Sequence, residues 1–180
     1  MEGPVIRMID QTVLPHEFKI ADISNLEELK DAINKMIVRG AGAIGAAGAY
    51  GIVQAAMLSR KDSLLIDIEN AARELKNTRP TAQNLFAAID LILNAARTET
   101  DTDRAIQLII REGERYADND VNACRQIGMY GAALVKDGVN ISTHCNAGWL
   151  AFTDWGSALS PVFYAVREER KNVFVYVDET

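Results

Sequence analysis

The stretch VRGAGAIGAAGAYG, residues 38–51, constrains the fold more than any other. Residues 43–57, AIGAAGAYGIVQAAM, are so rich in Ala and Gly that a helix there has little side-chain bulk of its own. Its small residues let neighbouring backbones come close, so a buried helix is predicted. Gly40, Gly42 and Gly45 also spell G-x-G-x-x-G, the spacing of a dinucleotide-binding turn. That turn joins a strand to a helix. Here the preceding residues carry apolar side chains at 26, 29, 33, 36 and 37, one face of a helix, and Ser24 and Glu27 have capping-box spacing. With no strand in front, a Rossmann cofactor site is rejected at this place. Two uses stay open for the glycines: tight helix packing, and approach of backbone amides to a single anion at a helix start.

The helix ahead of the glycines is expected to run into Arg39-Gly40. Upstream, Val5, Ile6, Met8, Ile9, Val13, Leu14, Phe18 and Ile20 alternate loosely around Pro15, which predicts short strands in a hairpin or meander. Downstream, Leu64, Leu65, Ile68, Ala72 and Leu75 predict a helix over 63–76. Thr78-Arg79-Pro80-Thr81 breaks it, because Pro80 disfavours helix at Arg79, and Thr81 is a candidate cap for the next helix through Leu85, Ile89, Ile92 and Leu93. A long helix is expected from near Asp103, with Gly138 ending the last helix of that region. The character then changes. VNISTHC (139–145) reads as a strand, NAGWLAFTDWG as a loop, 157–169 as a helix and NVFVYVDE as a second strand. Strand–helix–strand without a hairpin signal predicts a parallel βαβ unit. The expected fold class is therefore α/β. A mostly helical N-terminal domain with a short β meander covers residues 1–125. The start of a Rossmann-like parallel-sheet domain, one βαβ unit, covers 126–180.

The 180 residues are 48% hydrophobic and 24% charged, enough to bury a core in one domain or two small ones. A net charge of −6 with no basic stripe argues against direct nucleic-acid binding, yet leaves room for a local anion site of one or two arginines. Cys124 and Cys145 lack CxxC or Cys/His ligand spacing, so no metal site is expected. No signal-peptide pattern and no apolar run of bilayer-spanning length is read, which gives the expectation of a cytoplasmic protein with reduced thiols and no membrane partner.

Three places carry candidate chemistry. Arg39 brings charge and a planar donor fork to the glycine turn, where one phosphate group fits better than a pyrophosphate. Arg79 precedes a predicted helix start, where an anion is welcome; a solvated loop arginine is the other reading. Cys145 lies in Thr143-His144-Cys145-Asn146-Ala147-Gly148, at the C-terminal end of a predicted parallel strand, where α/β sheets place ligands. His144 and a following helix N-terminus are surroundings that activate thiols, although strand neighbours point to opposite faces, which argues against a direct Cys–His pair. A buried structural thiol is the alternative. Asp178 and Glu179 close the second strand at the same sheet edge, with sugar hydroxyls or plain solvation as their uses. Trp149 and Trp155 flank the cysteine loop and suit loop packing better than a pocket wall. His16, after Pro15, is read as inert.

In this order, VRGAGAIGAAGAYG, TRPTAQNL, THCNAG and VFVYVDET resemble the methylthioribose-1-phosphate isomerase family, and the early IDQTVLP resembles that family's opening. The similarity runs along nearly the whole chain. The wider family includes ribose-1,5-bisphosphate isomerase and the regulatory subunits of translation initiation factor 2B. The resemblance implies an aldose–ketose isomerase converting 5-methylthioribose 1-phosphate to 5-methylthioribulose 1-phosphate, a methionine-salvage step, with no cofactor. It implies substrate binding by Arg39, Gly40, Ala41 and Arg79, and a catalytic, transition-state-stabilising part for Cys145. This sequence departs from the family where Gly42 replaces the usual proline of RGAPAIG, and where WLAFTDWG is bulkier and more aromatic than the family's loop. The family's proton-transferring aspartate, its Asn–Lys pair and a substrate-binding glutamine fall beyond VDET, so Asp178 is not that aspartate. The expectation is the phosphate side of a site, completed across a cleft by the thiol segment, without the acid/base group and with negligible turnover alone. A homodimer, or association with a chain supplying the C-terminal half, is expected. A non-catalytic sugar-phosphate or nucleotide-binding subunit and a purely structural assembly protein are the competing functions.

Overall fold

The computed structural model describes residues 3–168 and 172–177. Asp178 and Glu179 lie outside the described residues. The chain divides into two units, Met1–Ala117 and Asp118–Thr180.

The first unit opens with β1 (Ile6–Ile9) and β2 (Ile20–Ile23), an antiparallel pair with Ile6 opposite Ile23 and Ile9 opposite Ile20. Val13, Leu14 and Phe18 lie in the connection rather than in strands, so the meander is a single hairpin. The reason is local: the Val13 carbonyl accepts from the amides of His16 and Glu17, closing a turn around Pro15. Helix α1 (Leu26–Asn34) is capped by Asn25, not Ser24. The Glu28 amide donates to Asn25 Oδ1 (3.0 Å), and the Glu28 carboxylate accepts from the Ser24 amide (2.7 Å), a capping box one residue later than the predicted one. The helix stops at Asn34, and Met36 turns the chain at φ 59°, so α1 does not reach Arg39.

Helix α2 (Ala41–Leu58) is the axis of this unit. It packs on α1, on α3 (Leu64–Thr78) and on α4 (Gln83–Ala96). The close approach comes from missing side chains. A Cβ on Gly48 would lie 2.5 Å from Leu85 Cδ1, and one on Gly51 would lie 2.4 Å from Leu29 Cδ2. Helix packing is thus the observed use of these glycines. Against the sequence expectation, Ala41–Leu58 has the length and apolarity of a membrane span, but 67% of it is buried inside the protein, as a core helix is. Its one buried polar side chain, Gln54, is satisfied by the carbonyls of Pro4 (2.8 Å) and Ile23 (2.9 Å), which ties the hairpin to the helix. Thr81 does not cap α4; Ala82 occupies that position, with no side-chain cap bond.

Helix α5 (Thr102–Gly131) crosses the division between the units and ends well before Gly138; a short 3-10 turn, Ala132–Leu134, follows. Gly138 instead turns the chain at φ 72° into β3 (Val139–Thr143). In the second unit β3 pairs in parallel with β4 (Val173–Val177), Val139 opposite Val173 and Thr143 opposite Val177. Helix α6 (Ser160–Arg167) lies between them in sequence, completing the predicted βαβ unit. It starts at Ser160 rather than 157, because the amides of Ser157 and Leu159 donate to the Ala147 carbonyl instead. Ser160 Oγ donates to the Cys124 carbonyl (2.7 Å), and Gly128 and Gly131 give α6 room to sit against α5.

Candidate functional site

Two groups of predicted residues are placed here, one in each unit. In the first unit, Gly40 is the N-cap of α2 at φ 94°, a conformation that favours glycine. Its carbonyl accepts the first helical bond, from the Ile44 amide (3.0 Å). Arg39 and Gly40 are half-buried and Ala41 is exposed, so the turn is open to solvent. Arg79 ends α3, half-buried, and its carbonyl accepts from the Ala82 amide (3.0 Å) in the turn that starts α4.

These two segments belong to one end of a helix pair. A Cβ on Gly45 would lie 3.2 Å from Asn84, and Gly48 faces Leu85 and Ile89. The contacts advance in the same direction along both helices, so α2 and α4 run parallel with their N-termini at the same end. A helix N-terminus carries the positive end of a dipole and first-turn amides without intrahelical partners. Arg39 directly precedes the N-cap of α2, and Arg79 stands three residues before that of α4. Tyr116 on α5 joins the contact: its hydroxyl donates to the Asn84 carbonyl (3.4 Å).

Sequence reasoning assigned no role to the residues that brace the glycine turn. The Gln11 amide donates to the Ile37 carbonyl (3.0 Å), and Gln11 Nε2 reaches the Arg39 carbonyl (3.5 Å). Asp10, just before it, is buried, and its Oδ1 accepts from Thr12 Oγ1 (2.6 Å) and the Thr12 amide (3.0 Å). The Thr12 hydroxyl, then its amide, hold the Asp10 carboxyl below its ordinary range. The DQT resemblance was the available signal, but nothing in the sequence says what these residues touch.

In the second unit, Cys145 follows the end of β3 at φ 66°, exposed, with His144 exposed beside it. The structural-thiol reading suits Cys124 instead, which is buried and whose thiol burial pushes up to about 11. Asn146-Ala147-Gly148 is pinned from the far side of the loop. Ala147 O accepts from Ser157 (3.0 Å) and Leu159 (3.3 Å), and Gly156, at φ 76°, lies so close that a Cβ there would be 2.5 Å from the Gly148 carbonyl carbon. Trp155 packs in the loop, its ring 6.0 Å from that of Tyr164, and Trp149 is exposed. The Thr143 hydroxyl, at the end of β3, is buried and has no hydrogen-bond partner among the described residues. Among the described residues no group of three His, Cys, Asp or Glu side chains could hold a metal.

The chain is similar to known proteins along nearly its whole length. The chain is 42% identical over 186 aligned residues to the methylthioribose-1-phosphate isomerase of Methylorubrum extorquens, covering 99% of this chain and 50% of that one. Among solved structures it is similar to translation initiation factor eIF-2B subunit delta from A. fulgidus, with a TM-score of 0.86 and 43% identity over 100% of this chain and 55% of that one. It is similar also to 5-methylthioribose 1-phosphate isomerase from Pyrococcus horikoshii, with a TM-score of 0.87 and 33% identity over 96% of this chain and 57% of that one. The chain thus spans about half the length of the curated relatives it matches. A sequence model described as the initiation factor 2 subunit family matches residues 37–180, from the arginine–glycine turn through the cysteine loop to the end of the second strand. The chain belongs to the initiation factor 2 subunit family.

Proposed function

We propose that this chain carries the sugar-phosphate-binding part of an aldose–ketose isomerase that converts 5-methylthioribose 1-phosphate to 5-methylthioribulose 1-phosphate in the cytoplasm. The observation that carries the reading is the shared end of α2 and α4, with an arginine in the turn before each helix, in a chain whose relatives include enzymes named for that substrate. The phosphate is assigned to Arg39 and Arg79, with the amides of Gly40 and Ala41 as neutral donors. Phosphate on C1 blocks the anomeric oxygen, so the ring opens with a proton delivered to the ring oxygen. Hydrogen then passes from C2 to C1, and the C2 hydroxyl gives up its proton as the ketone forms. Cys145, an accessible thiol held on a braced loop, is assigned to stabilising that C1–C2 transfer. The group that moves the oxygen-bound protons must stand within hydrogen-bond reach of them. It is assigned to the half of the relatives that this sequence does not span.

The match of this whole chain to 55% of an initiation-factor subunit favours a second reading, a non-catalytic sugar-phosphate or nucleotide-binding subunit. Calorimetry with 5-methylthioribose 1-phosphate, ribose 1,5-bisphosphate and AMP separates the two. The isomerase reading expects the methylthio sugar to bind best, and Arg39→Ala to weaken it at least about tenfold, the value of one charge-assisted hydrogen bond. It also expects ketose formation only when the second half of the Methylorubrum enzyme is added. Preference for AMP overturns it.

A further inference from the structure

Resting on the phosphate seat proposed above, we infer that the Asp10-Gln11-Thr12 turn is the positioning element of that seat, setting the direction of the Arg39–Gly40 peptide. The segment between α1 and α2 has little regular structure of its own. Met36 is at φ 59°, Gly40 at φ 94°, and the Val38 amide reaches the Ala32 carbonyl at 3.3 Å. Gln11 holds this segment on both sides of Val38, at the Ile37 carbonyl (3.0 Å) and the Arg39 carbonyl (3.5 Å).

The second contact has a directional consequence. In a trans peptide the carbonyl and the next amide point opposite ways. Drawing the Arg39 carbonyl toward Gln11 therefore turns the Gly40 N–H away from Gln11. The Gly40 carbonyl is in turn fixed by the Ile44 amide, so the Ala41 N–H points out of the helix end. Both donors assigned to the phosphate take their direction from carbonyls that are held on the protein side. Gln11 is itself set by its neighbours. Asp10 Oδ1 gathers the Thr12 hydroxyl and amide into an Asx-turn, while the Asp10 amide extends the β1–β2 ladder to the Lys19 carbonyl (2.8 Å). A hairpin held to α2 through Gln54 thus carries a turn that grips the start of the same helix. Donors fixed before the ligand arrives bind it without paying to be ordered.

The test compares Asp10→Ala, Asp10→Asn and Gln11→Met with wild type. Calorimetry measures 5-methylthioribose 1-phosphate binding, and amide NMR reads the Gly40 signal in the absence of ligand. Asp10→Ala is expected to weaken binding about tenfold, and Gln11→Met about threefold, in line with loss of one hydrogen bond. Asp10→Asn keeps an oxygen for both Thr12 donors and is expected to bind within about twofold of wild type. The Gly40 amide signal should move in Asp10→Ala and Gln11→Met while that of Gly48, in the middle of α2, stays in place. If Asp10→Ala does not fold, Gln11→Met decides. Wild-type affinity in Gln11→Met, or an unmoved Gly40 signal, overturns the inference and leaves the seat standing. No binding by wild type overturns the seat and the inference with it.

Discussion

The two units differ in how far each closes around a core. In the first, one buried cluster runs from Ile23 to Ile109, and Leu29, Ile33, Ile52, Ile68, Leu75, Leu85, Ile89 and Ile92 are fully buried. In the second, the cluster is Ala132, Val135 and Ala165, with Val139, Ile141, Tyr164 and Val173 half-buried against it. Helices can satisfy their own backbone bonds and need only one apolar stripe covered. Parallel strands need a layer on each face and a neighbour on each edge. Here β3 and β4 have a covered face, while the outward residues Asn140, Ser142, Phe174 and Tyr176 are exposed. The difference predicts unequal stability. Both tryptophans, Trp149 and Trp155, lie in the second unit, so their emission reports it alone, while far-UV circular dichroism is weighted to the helices. In urea the emission transition is expected to come first. Coincident transitions would break the comparison, because they would show one cooperative unit.

The largest effect is expected in the closed core. Ile89→Ala removes a fully buried side chain that lies against Gly48, and should cost about 3 kcal/mol in the dichroism transition. An equal loss in the emission transition would again argue for a single unit. Gly156→Ala comes next, and acts in the second unit. It places a Cβ on the Ala147–Gly148 backbone and forces a positive φ on alanine, for a loss of about 2 kcal/mol seen by emission. An unchanged emission midpoint would mean that the cysteine loop is not braced from Gly156.

Thiol chemistry sharpens the contrast inside the second unit. Burial raises the Cys124 thiol from 9.0 to about 11, with the Asp120 and Asp154 carboxylates adding to the shift. The folded state therefore keeps the proton that the unfolded chain loses. The resulting stability is complete below pH 9 and drains away as pH climbs toward 11. Cys124→Ala should flatten this part of the emission-monitored profile, and an unaltered slope would assign the loss to other groups. A thiol reagent at pH 8 should modify Cys145 at once and Cys124 only on unfolding. A smaller change is expected from Thr143→Val, which replaces a buried hydroxyl without a partner among the described residues and should add about 1 kcal/mol. Destabilisation would show that the hydroxyl is bonded in solution.

How much of this was legible in the sequence follows from the range of the forces involved. The helices of the first unit and the parallel βαβ of the second were readable because periodicity and turn residues act locally. The α1 cap slipped by one residue because Ser24 and Asn25 are both good caps, and Glu28 reaches back to serve both. The late start of α6 was not readable, since Ser157 and Leu159 give their amides to Ala147, across the loop. The same holds for the candidate site. Arg39-Gly40 and Arg79 could be placed at helix starts from glycine and proline alone. The grip of Gln11 on residues 37 and 39, and the parallel run of α2 and α4 that brings the two segments to one end, depend on contacts between distant parts of the chain.

The smallest expected effect tests the open face itself. Phe174 and Tyr176 are 59% and 56% exposed, and their rings meet edge to face at 4.9 Å on the outward side of β4. Large aromatics on a solvent-facing strand contribute little to folding when no layer covers them. Replacing both with threonine, a good strand former, should change the emission transition by less than about 0.5 kcal/mol. It should also lower self-association at high concentration, measured by light scattering, because an apolar face beside an open strand edge promotes pairing between chains. A loss well above that figure, growing with protein concentration, would mean that the face is covered in solution by another copy. The two units would then differ in when they close rather than in whether they do.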